Sequence, residues 1–358
     1  MIIIIGRSEM MIGGEHYFDN SIYAYEIENS FEKFIEKISV NTKYFSTGRD
    51  AIYSLVESIE INRIWLPNYL CRSIYIPIHC TKKEIVFYDV DEKLKINIDF
   101  LDKVKENDCI FLINYFGLVQ KDIYQKIGNK KAVVISDITH LLLNYNSFAY
   151  VMSNSNYVIC SLRKLGPFPD GAFIGSKENK LNLTQKNCRY EFAYLRAGAF
   201  ISRGYSKFND FNNDENYEVL IRAEKLLNET LDFGYKMSYI TENILKRHNY
   251  FKVVHKTKEN INVFVEYFNN DKKCEILNKK EISQFIIILF KSQYTRDKVK
   301  YELSHANIFC PIHWDTLWMN EEHINSKKLI SIPCDYRYSK NNMKNIADKI
   351  NCILEEIK

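Results

Sequence analysis

The sequence has no Cys-x-x-Cys pair, no basic arm and no long apolar run, and each absence narrows what the chain can be. Its nine cysteines are odd in number and widely spaced. Cys109 and Cys160 sit inside apolar runs, so the cysteines read as reduced core residues of a cytoplasmic protein rather than a disulfide frame. The net charge of +4 is spread along the chain, without the clustered footprint of a nucleic-acid binder. No stretch reaches the roughly 18 apolar residues of a membrane helix. Met1-Ile-Ile-Ile-Ile5 has no basic start and is interrupted at Gly6-Arg7, so it reads as a short strand and not a secretory leader. No Gly-x-Gly-x-x-Gly or Gly-x-Ser-x-Gly is present, which argues against the common dinucleotide and hydrolase frameworks. His305, Cys310 and His313 lack the second paired cluster that a structural zinc needs.

What the 358 residues do contain is a repeating strand–helix pattern. Apolar strands are expected at 63–66, 84–88, 109–114, 132–136 and 157–160, with helices between them. A helix over 47–59 follows from the spacing of Ala51, Ile52, Leu55, Val56 and Ile59, capped by Ser46 or Thr47. Tyr69–Ile76 is helical in character and broken by Pro77. Continuous apolar strands separated by amphipathic helices imply an α/β fold with a mainly parallel sheet covered on both faces. In such sheets function gathers at the carboxyl ends of the strands, where Asn68, Tyr115, Asp137 and Lys164 fall. Residues 177–216 read as an irregular polar and aromatic loop, and Tyr217–Lys246 as a long helix that could serve as a hinge. Strands at 282–290 and 329–333 and helices at 297–304 and 341–357 suggest a smaller α+β domain. The expected division is 1–235 and 236–358.

Three local features bear on chemistry. Thr47-Gly48-Arg49 opens a helix, where free N–H groups and the dipole favour an anion such as phosphate. Asp137 ends a buried strand, where a carboxylate can neutralise a cationic ring nitrogen. Ser161-Leu-Arg-Lys164 ends another, and a lysine desolvated there would become a nucleophile. Each alone has an ordinary reading, as a capped helix, a turn and a surface lysine. In this order, ahead of a separate C-terminal domain, they are the parts that pyridoxal phosphate chemistry needs.

At these residues the sequence resembles the DegT/StrS-like sugar aminotransferases of the aspartate-aminotransferase fold. The resemblance rests on Ser46-Thr-Gly-Arg-Asp-Ala-Ile52, Leu66-Pro-Asn-Tyr69, Phe87-Tyr-Asp-Val-Asp91, Asn114-Tyr-Phe-Gly117 and Ser136-Asp-Ile-Thr-His140. It continues in Ser161-Leu-Arg-Lys164 with Asp170-Gly171 behind it, and in Ile332-Pro-Cys-Asp-Tyr-Arg-Tyr-Ser339. It implies a large domain with a seven-stranded-type sheet, a smaller C-terminal domain, and a homodimer with sites at the subunit interface. It implies pyridoxal 5'-phosphate held by Lys164 as a Schiff base and by Asp137 at the ring nitrogen. His140 would lie near the ring, Thr47, Gly48, Arg49 and Ser161 at the phosphate, and Tyr69 stacked on the ring. Arg337 would meet a substrate carboxylate or phosphate. The implied substrates are a keto-sugar, nucleotide-linked, and an amino donor such as glutamate or glutamine. The chain departs from the family at His140, usually Gln, at the short Ser161–Lys164 gap, at Ser136, and at Gly171-Ala172. Another pyridoxal phosphate reaction, dehydration or decarboxylation, and a non-catalytic binding protein that kept the fold are the alternatives.

Overall fold

The computed structural model describes residues 11–23, 26–39, 41–128, 130–178, 180–206, 214–269, 272–319 and 321–357. The strand expected at residues 1–5 and residues 179 and 207–213 of the expected loop lie outside them. Ten strands are described: β1 (Asn41–Phe45), β2 (Arg63–Pro67), β3 (Glu84–Tyr88), β4 (Asp108–Ile113), β5 (Val133–Asp137), β6 (Tyr157–Ser161), β7 (Ala172–Ser176), β8 (Cys274–Ile276), β9 (Phe285–Phe290) and β10 (Leu329–Pro333). The first seven form one sheet in the order β1-β7-β6-β5-β4-β2-β3. Strands β2 to β6 pair in parallel, and β7 runs antiparallel to both β6 and β1. The carboxyl end of β1 therefore lies at the same edge as those of β2 to β6. The expected α/β class and mainly parallel seven-stranded sheet are thus what the chain forms. The last three strands make a separate antiparallel sheet, β10-β9-β8.

The helices are α1 (Phe31–Ile38), α2 (Gly48–Ser58), α3 (Arg72–Cys80), α4 (Lys121–Ile127), α5 (Tyr145–Ser153), α6 (Tyr190–Ser206), α7 (Asp214–Asn228), α8 (Tyr239–Leu245), α9 (Tyr250–Tyr267), α10 (Gln293–His305), α11 (Ile324–Lys328) and α12 (Lys340–Glu356). Among the described residues none is long and apolar enough to cross a membrane. One core forms around the large sheet, and a second gathers β9, β10, α10 and α12. Helix α9 joins them: Tyr250 and Val253 pack in the first, Ile261 and Phe264 in the second.

Three expectations are corrected. Pro77 does not break the helix near it; it lies inside α3, buried on a face with Ile74 and Ile78, and that packing outweighs the one backbone bond proline removes. The loop expected over 177–216 contains the seventeen-residue α6. Its periodicity is hidden because large apolar residues occupy the solvent side as well as the buried side. The long helix expected over 217–246 ends at Asn228 and resumes as α8. Between them Gly234 takes φ +91°, and the N–H groups of Gly234 and Tyr235 donate to buried Asp50 instead of continuing a helix.

A second buried carboxylate, Asp170, organises the edge where the chain leaves β1. It accepts from the Ser46 hydroxyl at 3.1 Å, from the backbone and hydroxyl of Ser238 at 2.9 and 2.7 Å, and from the Thr241 hydroxyl. Gly171 behind it has φ +116°, and a Cβ there would stand 2.9 Å from the Thr241 methyl. Glycine is therefore required on both conformational and steric grounds. Asp170→Ala would leave these donors buried without an acceptor. It is expected to cost roughly 3 kcal/mol in denaturant unfolding, and a loss below about 1 kcal/mol would show that the turn is held by something else.

Candidate active site

The carboxyl edge of the large sheet opens onto a cavity of about 460 Å³. Register sets its floor. Ile113, Asp137 and Ile159 lie in one row across β4, β5 and β6, and Ser161, Ala172 and Phe45 in another across β6, β7 and β1. The chain turns directly after Phe45 into α2. This brings Gly48 against Ser161 although 113 residues of chain separate them: a Cβ on Gly48 would meet the Ser161 Cβ at 3.6 Å and Oγ at 3.9 Å. Thr47 caps α2 through the Asp50 N–H, and its hydroxyl donates to the Asp50 carboxylate at 2.6 Å. Arg49 donates to the Leu227 carbonyl at 3.0 Å and to the Ser73 hydroxyl at 3.2 Å. Both partners are neutral, so its charge remains available beside the helix start.

Lys164 ends a single 3-10 turn, Leu162–Lys164, whose N-cap is Ser161. Side chains three apart eclipse in a 3-10 helix, so the short Ser-x-x-Lys spacing brings both residues to the same side. Lys164 lines the cavity but is exposed within it. The expectation of a desolvated lysine is therefore corrected; position, not burial, makes its amine available. Its carbonyl accepts from Gln284 at 3.1 Å, and its Nζ lies 5.9 Å from the centre of the Trp314 ring.

Asp137 stands at the end of β5, with Oδ1 accepting from the Thr139 N–H at 2.8 Å. Burial pushes its pKa up, while the Thr139 hydrogen bonds and the Lys164 charge pull it down; the net direction is upward. His140 is buried against Phe116, stacked at 4.7 Å, and against Trp314, whose ring is nearly parallel to it at 6.0 Å. Burial, with Lys164 and His313 beside it, holds its pKa well below the usual histidine range. The neutral ring leaves Nε2 buried without a hydrogen-bond partner. His313 closes the same wall, its Nδ1 2.8 Å from the Ser331 hydroxyl.

Two of the candidates are placed otherwise than expected. Tyr69 is fully buried against Tyr115, Trp314 and His323 and is not part of the cavity wall. Arg337 reaches the cavity, but Asp335 takes its Nε and Nη2 at 2.7 Å each, and the Gly14 and Glu15 carbonyls take Nη1. Such a bidentate pair leaves little of the fork for a substrate. Of the strand-end residues, Asn68 turns to Asp89 and Val90, and the Tyr115 hydroxyl donates to the Tyr69 carbonyl. Sequence reading missed Glu15, His16, Arg163, Arg196, Glu224 and His313, all of which line the cavity. Arginine within the otherwise apolar helix stretch Phe192–Phe200 was the one visible signal.

No protein-family model matches the chain, and no curated protein matches it by sequence. Solved structures do match. Spr1654 from Streptococcus pneumoniae, in its PLP form, aligns with TM-score 0.68 and 12% identity over 98% of this chain and 100% of its own. Helicobacter pylori PseC, an aminotransferase involved in the biosynthesis of pseudoaminic acid, aligns with TM-score 0.66 and 12% identity over 97% and 100%. DesI, solved in the presence of its TDP-sugar product, gives 0.61 and 10% over 96% and 94%. The chain has the aspartate-aminotransferase fold. Within that fold, Lys164, Asp137, Ser161 and the start of α2 share one cavity.

Buried neutral histidines make this region sensitive to acid. Burial lowers His16, His248 and His313 to about 3, and His140 falls in the same direction. As pH falls below about 6.5, the unfolded chain takes up protons that the folded chain refuses. Stability is therefore full above that value and declines toward pH 3, by up to about 1.4 kcal/mol per pH unit for each histidine. The melting temperature is expected to fall by several degrees between pH 7 and pH 5; an unchanged value would contradict this account.

Proposed function

We infer that the protein is a pyridoxal-phosphate-dependent aminotransferase acting on a keto-sugar, nucleotide-linked, in surface-glycan or natural-product sugar biosynthesis, as a cytoplasmic homodimer. The observation that carries this reading is the convergence of an amine (Lys164), a carboxylate (Asp137) and a helix start with a free cation (α2 with Arg49) on one cavity. The fold of PseC and DesI supports the sugar class.

The residues fit the cofactor. The space between Gly48 and Ser161 is one that a side chain on residue 48 would enter, and the partnerless Nε2 of His140 awaits a polar group. The α2 N–H groups, Thr47, Arg49 and Ser161 would hold the phosphate. Asp137 would hold the ring nitrogen protonated, and that charge would favour its ionised form against burial. His140 would donate to the ring hydroxyl. Pyridoxal phosphate, when bound, supplies an electron sink for charge developing at the donor Cα. Lys164 Nζ would attach the cofactor and, once the donor has displaced it, would move the proton from the donor Cα to the cofactor C4′ as general base and then general acid. Glutamate or glutamine would serve as donor.

The test adds cofactor and then glutamate or glutamine to the parent protein and to Lys164→Ala. The parent is expected to convert the pyridoxal absorbance to the pyridoxamine form with release of the matching 2-oxoacid, and the variant to do neither. Borohydride should fix the cofactor mass on the peptide containing Lys164. Release of carbon dioxide without any pyridoxamine form would favour decarboxylation. Absence of any borohydride-fixed cofactor would favour a binding protein. A second expectation concerns His140→Leu, which should weaken cofactor affinity about tenfold, the worth of one hydrogen bond to a charged group, while His140→Gln should retain most of it. Equal affinity in all three proteins would remove His140 from the site.

A further inference from the structure

Charge is already matched over much of the cavity. Arg337 is paired with Asp335, Arg196 with Glu15 and Glu224, and Arg163 with Glu224. Among the described residues, every cation that lines the cavity apart from Arg49 and Lys164 therefore has a carboxylate beside it. A ligand carboxylate placed away from α2 would lose its hydration with no unmatched cation to replace it. The open polar groups on this side, from Gln284 and His313, are neutral.

Gln284 stands just before β9 and is 2% exposed. Its Nε2 donates to the Lys164 carbonyl at 3.1 Å. That bond fixes the orientation of the amide, because a flipped amide would set two oxygens against each other. Oε1 is left buried without a donor. A buried acceptor in that state costs free energy until a ligand or water supplies a hydrogen.

His313 lies on an extended segment beside β10. The Ser331 N–H donates to the Pro311 carbonyl, and the Ser331 hydroxyl lies 2.8 Å from His313 Nδ1. Ser331 is 1% exposed, and among the described residues its hydroxyl has no other partner. The hydroxyl therefore donates to Nδ1, since the reverse bond would leave a buried O–H with nothing to donate to. Burial keeps the ring neutral, so its one hydrogen is on Nε2. No described residue accepts from Nε2, and His313 lines the cavity. The ring packs at 5.0 Å on Phe285, the residue after Gln284. An orphan acceptor and a fixed donor thus belong to one stretch of wall beside Lys164.

We propose that Gln284 and His313 form a donor–acceptor pair that takes the side-chain carboxamide of glutamine, and that the chain uses glutamine as amino donor in preference to glutamate. This rests on the aminotransferase reading above. Both donors carry the α-amino and α-carboxylate groups, so whatever holds those groups drops out of the comparison. They differ at the distal end. The carboxamide N–H can donate to Gln284 Oε1 while its oxygen accepts from His313 Nε2. The glutamate carboxylate has only acceptors; one oxygen could take the Nε2 hydrogen, but the other would face Oε1 with no hydrogen between them, and the charge would be unmatched. Ser331 is a positioning residue in this scheme, acting through the tautomer of His313.

The test is the ratio of the second-order rate constants with which glutamine and glutamate convert the cofactor-loaded parent to the pyridoxamine absorbance. Glutamine is expected to be favoured by about tenfold or more, the worth of one buried group left unpaired. His313→Leu and Gln284→Leu should each bring the ratio to within about threefold of unity, while His313→Gln, which keeps an N–H, should retain most of it. Ser331→Ala should lower the ratio part-way. General damage to the fold would slow both donors together and leave the ratio in place. Calorimetric titration of Lys164→Ala with cofactor added, which cannot turn the donor over, should show glutamine binding more tightly than glutamate. A parent that favours glutamate, or uses the two equally, would overturn the donor assignment and leave the aminotransferase reading standing. A ratio unchanged in both leucine variants would overturn the roles of Gln284 and His313. A parent that gives no pyridoxamine form with either donor would overturn this inference together with that reading.

Discussion

Two buried carboxylates hold the turn from β1 into α2 between them, and the geometry of the cavity depends on that clamp. Asp170 draws in Ser46 from one side, and Asp50 draws in Thr47, Gly234 and Tyr235 from the other. Both carboxylates are fully buried, where an unmatched charge is costly and a full set of donors offsets the cost. The result is a rigid junction. It fixes the start of α2 against β6, and Asp170 fixes the turn after Lys164 in the same network. The helix start and the lysine come from opposite ends of the large-sheet sequence, yet one set of hydrogen bonds sets the distance between them.

Charge is partitioned around this junction. Arg49 meets only neutral acceptors and keeps its charge for the cavity. Arg337 and Arg196 are consumed by carboxylates, so they hold the chain together rather than meet a ligand. The opposite wall, His140, Trp314, Phe285 and His313, is aromatic and uncharged. A cavity with a cation at the helix start, a carboxylate on its floor and flat neutral rings on one side suits a planar ring that carries an anionic phosphate better than a metal ion. Among the described residues no group of three metal-ligating side chains comes together.

The α6–α7 pair has two unlike faces. Its inner face carries buried Arg196, which reaches the lysine turn through Glu224 and Arg163, while its outer face carries exposed tyrosines. The same double apolar character hid α6 from periodicity reading.

The sequence by itself determined the class of fold and which side chains stand at the carboxyl ends of the strands. Alternating apolar strands and amphipathic helices admit few arrangements, and strand ends locate Asp137, Ser161 and Lys164 without knowledge of their neighbours. These are local signals, carried by periodicity and by capping, and they survive in one dimension. The tertiary structure decided which of those side chains are free. Arg337 looks like an anion-binding residue until Asp335 and two carbonyls occupy it. Tyr69 looks like a stacking ring until it is buried among three others, and Lys164 looks desolvated until the cavity opens above it. Beyond the neighbouring Asp335, the partners are distant in sequence, Trp314 and His323 against Tyr69 and the Gly14 and Glu15 carbonyls on Arg337, and their pairing leaves no mark on the residues near either one. Hydrogen-bond saturation and burial are properties of the packed chain, and only packing could assign them.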